Sequence, residues 1–353
     1  MLSVVLALCV AALLSSCALN ELPSQSTGTG VAQGTLNGTG ASSMSVAQAN
    51  WIAAFQTENP RATVIYAPEG SGAGRDSFMG GGTHFAGSDR AFHLGENVAG
   101  AFAGCAEGSA ALDLPVYVSP IAVVFNVDGL DTLSLTPEVL AAIFLGEIST
   151  WSDASIAELN PDVELPDLQV TAVHRSDNSG TTENFSAYLH GAAGSVWKAE
   201  PSGSWPLQGG EAAKGTSGVI SAVQDGVGTI GYVDASQSGG TATATIGREG
   251  AFEAPTPEAA GRAVDAAPVQ PGRAEHDIAL ELAADAPGYP IVLISYALVC
   301  EEYPDPDTSR LVRDYLGWTV SAEGQQAAAD GAGAAPLPAR LREKVLAAID
   351  SIR

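Results

Sequence analysis

Hydrophobic and polar positions along this chain follow two periods, one helical and one extended. Met44, Ala47, Trp51 and Phe55 recur at helical spacing, and a β-branched and aromatic run over 63–66 predicts a strand after them. Further strands are predicted over 83–87, 116–126, 170–173, 228–233 and 291–299, and further helices over 308–320 and 338–352. This alternation predicts an α/β fold in layers over a largely parallel sheet. The Gly, Ala and Pro-rich stretch 236–271 has too weak a period to predict its elements.

Length and charge indicate the number of domains and argue against one class of partner. A chain of 353 residues with 46% apolar content exceeds the usual size of one core, so two domains are expected. Its 15 Lys plus Arg stand against 40 Asp plus Glu, a net charge of -25, and no basic run offers a groove for a polyanion. Nucleic acid is therefore not an expected partner.

The first residues predict a cleaved leader. The apolar run Leu2 to Leu14 is too short to span a bilayer and is typical of a signal peptide. The following Leu14-Ser-Ser-Cys17 resembles the bacterial lipoprotein processing box, which predicts a signal peptide over 1–16 and lipid, such as palmitate, on Cys17. No Lys or Arg precedes the apolar run, so an ordinary secretion signal with an incidental Cys17 is the alternative. Residues 17–34, rich in Ser, Thr and Gly, predict a flexible tether.

Removal of the leader would leave Cys105 and Cys300 as an even pair in an oxidising compartment. Two cysteines define no spacing pattern. From the residues alone, a disulfide and two free buried thiols are equally open.

Three loops of small and hydroxyl-bearing residues offer the same chemistry. They lie over 38–43, 70–72 and 179–181, where predicted strands end or predicted helices begin. Free backbone N–H groups and the helix dipole point into such loops, which suits a tetrahedral oxyanion. Each loop alone is as well explained by a turn or an N-cap. The three together favour an anion site.

Charged residues near these loops refine the prediction. Arg175 can donate hydrogen bonds to two oxygens of an anion, and Asp177 can orient its guanidinium. A surface ion pair between the two is the alternative. A carboxylate such as Asp89 repels an anion unless that anion carries a proton to donate. Monohydrogen phosphate carries one, by analogy with a second pKa of about 6 for phosphoesters, and ionised sulfate does not. Asp89 therefore predicts selection of phosphate, with a helix N-cap as its alternative reading.

Enzyme motifs are absent from the sequence. No Gly-x-Ser-x-Gly pentapeptide occurs, the five His have no metal-ligand spacing, and Gly70 to Gly74 lacks the dinucleotide spacing. We therefore expect no catalysis, no cofactor and no metal. A secreted phosphate-ester hydrolase is the less favoured alternative.

The same segments resemble a known family, the phosphate-binding proteins of the bacterial phosphate-specific ABC importer. His-Arg-Ser-Asp-Asn-Ser-Gly-Thr-Thr over 174–182 is similar to the family's R-x-D-x-S-G-T loop, and Phe85-Ala-Gly-Ser-Asp89 to its F-G-A-S-D segment. The likeness runs from about Gly38 to the C-terminus.

The resemblance implies a set of ligand residues, with Asp177 as the partner of Arg175. The implied phosphate ligands are Ser42, Ser43, Ser71, Asp89, Arg175, Ser179, Gly180 and Thr181. The first loop departs from the family, which commonly has Thr-Phe where this chain has Ser42-Ser43. The hydroxyl and the amides remain, but an aromatic wall is lost.

The resemblance also implies a fold and a role. The fold is the two-lobed periplasmic-binding-protein type, type II or Venus-flytrap, with a hinge. Lobe one would comprise 35–120 plus 290–353 and lobe two 121–289, which puts Cys105 and Cys300 in one lobe and favours a disulfide. The implied role is an extracytoplasmic monomer, held by lipid on the outer face of the cell membrane, that delivers phosphate to the permease of an ABC importer. A binding protein for another tetrahedral oxyanion is the alternative.

Overall fold

The computed structural model describes residues 32–248, 250–283 and 285–353. The predicted signal peptide 1–16, Cys17 and most of the predicted tether lie outside the described residues. The first strand begins at Gln33, so residues 33 and 34, expected in the tether, belong to the folded body.

The described residues form eleven strands. They are β1 Gln33–Gly40, β2 Arg61–Ala67, β3 Phe85–Ser88, β4 Ala111–Asn126, β5 Thr132–Leu135, β6 Thr171–Arg175, β7 Glu211–Ala213, β8 Thr229–Asp234, β9 Ala242–Arg248, β10 Ala251–Glu253 and β11 Val292–Cys300.

Ten α-helices accompany them in the same part of the chain. They are α1 Ser45–Glu58, α2 Ser71–Met79, α3 Pro137–Leu145, α4 Ala154–Leu159, α5 Gly180–Ala192, α6 Gly215–Asp225, α7 Pro257–Asp265, α8 Pro306–Val320, α9 Ala322–Ala332 and α10 Ala339–Asp350. Within the described residues, no helix is both long and apolar enough to cross a membrane.

The main sheet has the order β2-β1-β3-β11-β4-β8-β6-β7. The outer strands β1 to β3 and β6 to β8 pair in parallel, as the alternation of elements predicted. The central strands β4 and β11 instead run antiparallel to each other and to the strands beside them. The sheet is therefore mixed rather than largely parallel. Its two antiparallel strands lie between the two groups of parallel strands.

Strand β4 belongs to both halves of the protein. Its residues 111–120 pair with β11, and its residues 121–126 pair with β8. Nearly every residue of β4 is buried, which explains an apolar sequence without alternation. We call the sheet β2-β1-β3-β11 with its helices the first half, and the strands beyond residue 120 of β4 the second half.

The segment 256–283 departs from the expected division at 121–289. Helix α7 packs on β4 and β11. Arg273 donates to Asp113 at 2.9 Å and to Asp277 at 3.1 Å, and the amide of Ile278 donates to the carbonyl of Asp113 at 2.9 Å. Asp113 lies on the part of β4 that pairs with β11, so this segment returns to the first half before residue 290.

Cys105 and Cys300 form a disulfide. Cys300 ends β11 and Cys105 lies in the loop before β4, so the bond fastens that loop to the central sheet of the first half.

Candidate functional site

Four helices begin close together between the two halves. Helices α1 and α2 follow β1 and β2, and helices α5 and α6 follow β6 and β7. The hydroxyls of Ser42 and Thr216 lie 3.1 Å apart, and the amide of Gly72 donates to the carbonyl of Asn178 at 3.1 Å. Since each bond joins one half to the other, the halves are closed on each other. The first-turn amides of these helices, which lack partners within their helices, therefore gather in one place.

Asp89 lies at the centre of this region, directly after β3, and is only 2% exposed. One carboxylate oxygen, Oδ1, accepts hydrogen bonds from Ser43 at 2.6 Å and Ser295 at 2.8 Å. The other oxygen, Oδ2, accepts from Thr181 at 2.8 Å. A carboxylate has about four acceptor positions. Donors from the described residues fill three of them, so one position at Oδ2 can take a further donor.

The loops around Ser71 and Ser179 pack tightly against Asp89. The amide of Asp89 donates to the hydroxyl of Ser71 at 3.1 Å, and the hydroxyl of Ser179 accepts from the amide of Thr182 at 3.2 Å as the N-cap of α5. A Cβ atom added to Gly180 would lie 2.7 Å from Cβ of Asp89 and 2.9 Å from Oγ of Ser71. Only glycine therefore lets the two halves approach this closely.

Arg175 ends β6 with its guanidinium buried and oriented. Its Nε and Nη2 atoms donate to the two oxygens of Asp177 at 2.8 and 2.5 Å, and the amide of Gly215 also donates to Asp177 at 3.0 Å. Burial raises the pKa of Asp177, but the hydrogen bond and charge of Arg175 outweigh it and hold that pKa below its ordinary value. Nη1 of Arg175 has no acceptor within the described part of the chain. It remains available to an anion.

A bound molecule here would be shielded from bulk water. Beyond the four loops, Asn184 donates to the carbonyl of Asp89 at 2.6 Å, Arg90 lies 3.0 Å from Glu183, and Lys214 lies 2.8 Å from Glu69. These contacts close the cleft from several sides. Charge interactions are stronger in such an enclosed place than in water.

The residues predicted from the sequence fall in one connected network. Ser43, Ser71, Gly180 and Thr181 surround Asp89, and Ser179 precedes Gly180. Ser42 joins Thr216, whose neighbour Gly215 donates to Asp177, the partner of Arg175.

Three neighbours of the network were not predicted. Thr216 is the second residue of α6, and Gln237 donates to the carbonyls of Ser42 and Ser43 at 2.9 and 3.2 Å. Ser295 lies where the register of β11 against β4 shifts, and such a bulge redirects a side chain. Gly215-Thr-Ser-Gly repeats the small, hydroxyl-bearing pattern of the other loops, and Ser295 is a small polar residue within the otherwise largely apolar run 291–299. Both signals are visible in the sequence but are weak.

This arrangement suits a tetrahedral anion that carries a proton. Hydroxyls, helix amides and Arg175 donate to oxygens, whereas Asp89 can only accept while it is ionised. An anion with all its oxygens ionised would face the Asp89 carboxylate without a proton to share.

The chain is similar in sequence to several known proteins. The PBP superfamily domain matches residues 25–323. Phosphate-binding protein PstS 3 of Mycobacterium leprae (strain TN) is 34% identical over 327 residues, covering 90% of this chain and 87% of that protein. Phosphate-binding protein PstS of Methanocaldococcus jannaschii is 32% identical over 327 residues, covering 86% of this chain and 82% of that protein.

A solved structure shares the fold. It is a Clostridium perfringens protein assigned as a phosphate ABC transporter substrate-binding protein and solved with bound phosphate. The two structures align with a TM-score of 0.61 at 18% identity, covering 86% of this chain and all of the other.

Proposed function

This chain belongs to the PBP superfamily and, within it, to the phosphate-binding proteins of ABC phosphate importers, and we propose that it captures inorganic phosphate between its two halves. The site would comprise Ser42, Ser43, Ser71, Asp89, Arg175, Ser179, Gly180 and Thr181, with Asp177 orienting Arg175. The named relatives are binding proteins rather than enzymes, and the chain is accordingly a receptor without catalysis.

The observation that carries the proposal is the pairing of Asp89 with a set of donors. With respect to residues 32–248, 250–283 and 285–353, Oδ2 of Asp89 keeps one free acceptor position and Nη1 of Arg175 is free to donate. Monohydrogen phosphate offers both partners, one P–OH for Asp89 and ionised oxygens for Arg175. Sulfate and other proton-free oxyanions lack the first partner, so binding of such an anion is the weaker alternative.

No specific observation favours a hydrolase. His174, close to Ser179 in sequence, contacts the carbonyls of Arg175 and Gly209 and stacks on Trp205 at 4.9 Å between ring centroids. Its ring nitrogens are therefore engaged elsewhere and do not activate Ser179 as a nucleophile.

Delivery to a permease would follow capture. We propose that the closed form docks on the permease of an ABC importer at the outer face of the cell membrane, and that the receptor acts as a monomer. Lipid on Cys17, preceded by the signal peptide 1–16, would anchor it there, with the residues up to about 32 as the tether. The anchor can be tested by detergent phase partitioning of the full chain and of Cys17→Ala made in a bacterial host. Equal partitioning of the two forms into water would contradict the anchor.

The binding proposal is tested by calorimetric titration with phosphate and with sulfate at neutral pH. We expect one phosphate per chain and a much weaker response to sulfate. Absence of phosphate binding would overturn the proposal, and equal affinity for the two anions would overturn the role of Asp89. An aryl phosphate incubated with the protein checks for hydrolysis, and turnover that is lost in Ser179→Ala would favour the hydrolase instead.

A further inference from the structure

A second arginine lies beside the site and forms no ion pair with any carboxylate that the structure describes. Arg75 stands on α2 one turn after Ser71, so the two side chains share one face of the helix. The side chain is buried, with the residue only 6% exposed. Burial lowers the pKa of Arg75, yet a guanidinium keeps its proton in proteins. A full positive charge is therefore buried at this position.

The hydrogen bonds of Arg75 are to neutral groups. Nη1 donates to the hydroxyl of Ser88 at 2.8 Å and Nη2 donates to the amide oxygen of Asn178 at 3.1 Å. Among the described residues, no carboxylate forms an ion pair with Arg75. The other buried or half-buried arginines that border the cleft differ in this respect: Arg175 pairs with Asp177, Arg273 with two aspartates, and Arg90 with two glutamates.

Both hydrogen-bond partners of Arg75 directly precede residues of the proposed anion site in the sequence. Ser88 precedes Asp89, and its hydroxyl also donates to the carbonyl of Arg90 at 2.7 Å, which fixes the turn that carries Asp89. Asn178 precedes Ser179, and its carbonyl accepts from the amide of Gly72. Because Arg75 belongs to the first half and Asn178 to the second, their bond exists only while the cleft is closed.

The charges explain why a cation is present here. Asp89 and Asp177 supply two negative charges, and Arg175 alone supplies one positive charge. A phosphate dianion would then enter a site that is already net negative. With Arg75 counted, the four side chains sum to zero before the anion arrives. Burying an unpaired cation is unfavourable, and a bound dianion offsets that cost.

We propose that Arg75 is a second cation of the anion site: it attracts the phosphate dianion through its buried positive charge and, through Asn178, holds the cleft closed. This proposal rests on the proposed phosphate binding. Arg75 is a positioning residue, since it acts through Asn178 and Ser88 and through its field. Its charge should control how fast phosphate associates, and its bond to Asn178 how slowly phosphate leaves.

Stopped-flow measurement of phosphate association and dissociation tests this, with calorimetry alongside. We expect Arg75→Gln to slow association by roughly tenfold or more at low salt, the lower end of electrostatic focusing, and to flatten its salt dependence. Arg61→Gln, an exposed site on β2, removes the same charge from the surface and should leave both unchanged. Arg75→Lys keeps the charge and should preserve association while phosphate leaves faster. Asn178→Ala should do the same.

The outcomes separate the two proposals. Failure of wild-type protein and Arg61→Gln to bind phosphate would overturn the proposed function and this inference with it. Phosphate binding by both, with association in Arg75→Gln equal to that of Arg61→Gln, would overturn this inference alone. Should Arg75→Gln not fold, Arg75→Lys decides, because tenfold slower association despite a retained charge would contradict the electrostatic role.

Discussion

Replacing Asp89 by Asn is the most informative test of anion selection. The variant keeps the shape of the side chain and removes its charge. Ser43 and Ser295 both donate to Oδ1, so the amide oxygen of Asn should take that position. The NH2 group then occupies the position of Oδ2 and faces Thr181, whose hydroxyl must turn to accept. An acceptor for the anion's proton becomes a donor.

The magnitude follows from the bond that is lost. A hydrogen bond to a charged group contributes about 1.5–3 kcal/mol, so phosphate affinity should fall by roughly 10- to 150-fold. Sulfate should move in the opposite direction, because the variant no longer presents a carboxylate to it and adds a donor. The ratio of phosphate to sulfate affinity should therefore fall by more than either change alone.

Calorimetric titration of both anions measures this ratio. Asp76→Asn, which removes an exposed carboxylate from the same helix as Ser71, is the matched control and should change neither affinity. A thermal melt of each variant shows whether the fold is kept. Phosphate and sulfate affinities that fall together in Asp89→Asn would show that Asp89 does not discriminate between them, and would contradict selection through a free acceptor position at Oδ2.

Three further changes test neighbouring parts of the structure. Arg175→Ala should weaken phosphate binding by about 2–5 kcal/mol in calorimetry, because it removes the cation that faces the anion and leaves the half-buried Asp177 carboxylate without its guanidinium partner. Burial raises the pKa of Asp234 to about 7 despite its hydrogen bonds from Ser236 and Tyr117, whereas an unfolded chain releases this proton near pH ~3.9. The unfolding free energy of the wild type should therefore fall as pH rises from about 3.9 to about 7. Above neutral pH, Asp234→Asn should raise the unfolding free energy by up to roughly 4 kcal/mol relative to the wild type. An equal change in melting temperature at acidic and at basic pH would contradict this. Serine at both Cys105 and Cys300 should lower the unfolding free energy by about 2–5 kcal/mol, because the disulfide spans a separation of 195 residues. A reductant should lower the melting temperature of the wild type but not that of the double variant.

Local sequence patterns predicted several helices and strands of the fold well. The apolar period from Met44 to Phe55 corresponds to α1, and the run 291–299 to β11. These elements are decided by which face is buried, and that information is local. The loops over 38–43, 70–72 and 179–181 were recognisable for a similar reason, since each combines small residues with hydroxyls where a strand ends or a helix begins; that they bind an anion stays a prediction.

Long-range arrangement was not predictable in the same way. The direction of β4 and β11 depends on which strands lie beside them, and no period records it. The segment 256–283 joins the first half through Arg273 and its two aspartates, a cluster that brings together residues 160 positions apart. Ser295 lies 206 positions from Asp89, so only the folded chain reveals that it donates to that carboxylate.

The contacts of Ser43 explain what this chain gains where its first loop departs from the family. Where the family commonly has an aromatic residue, Ser43 places a hydroxyl against Oδ1 of Asp89. Ser295 reaches the same oxygen, and two donors fill the two lone pairs of Oδ1. The free acceptor position is thereby restricted to Oδ2, beside Thr181 and the start of α5. We therefore infer that selection of a protonated anion in this chain would depend on two serines from distant segments, which together decide the carboxylate oxygen to which the anion's proton would be donated.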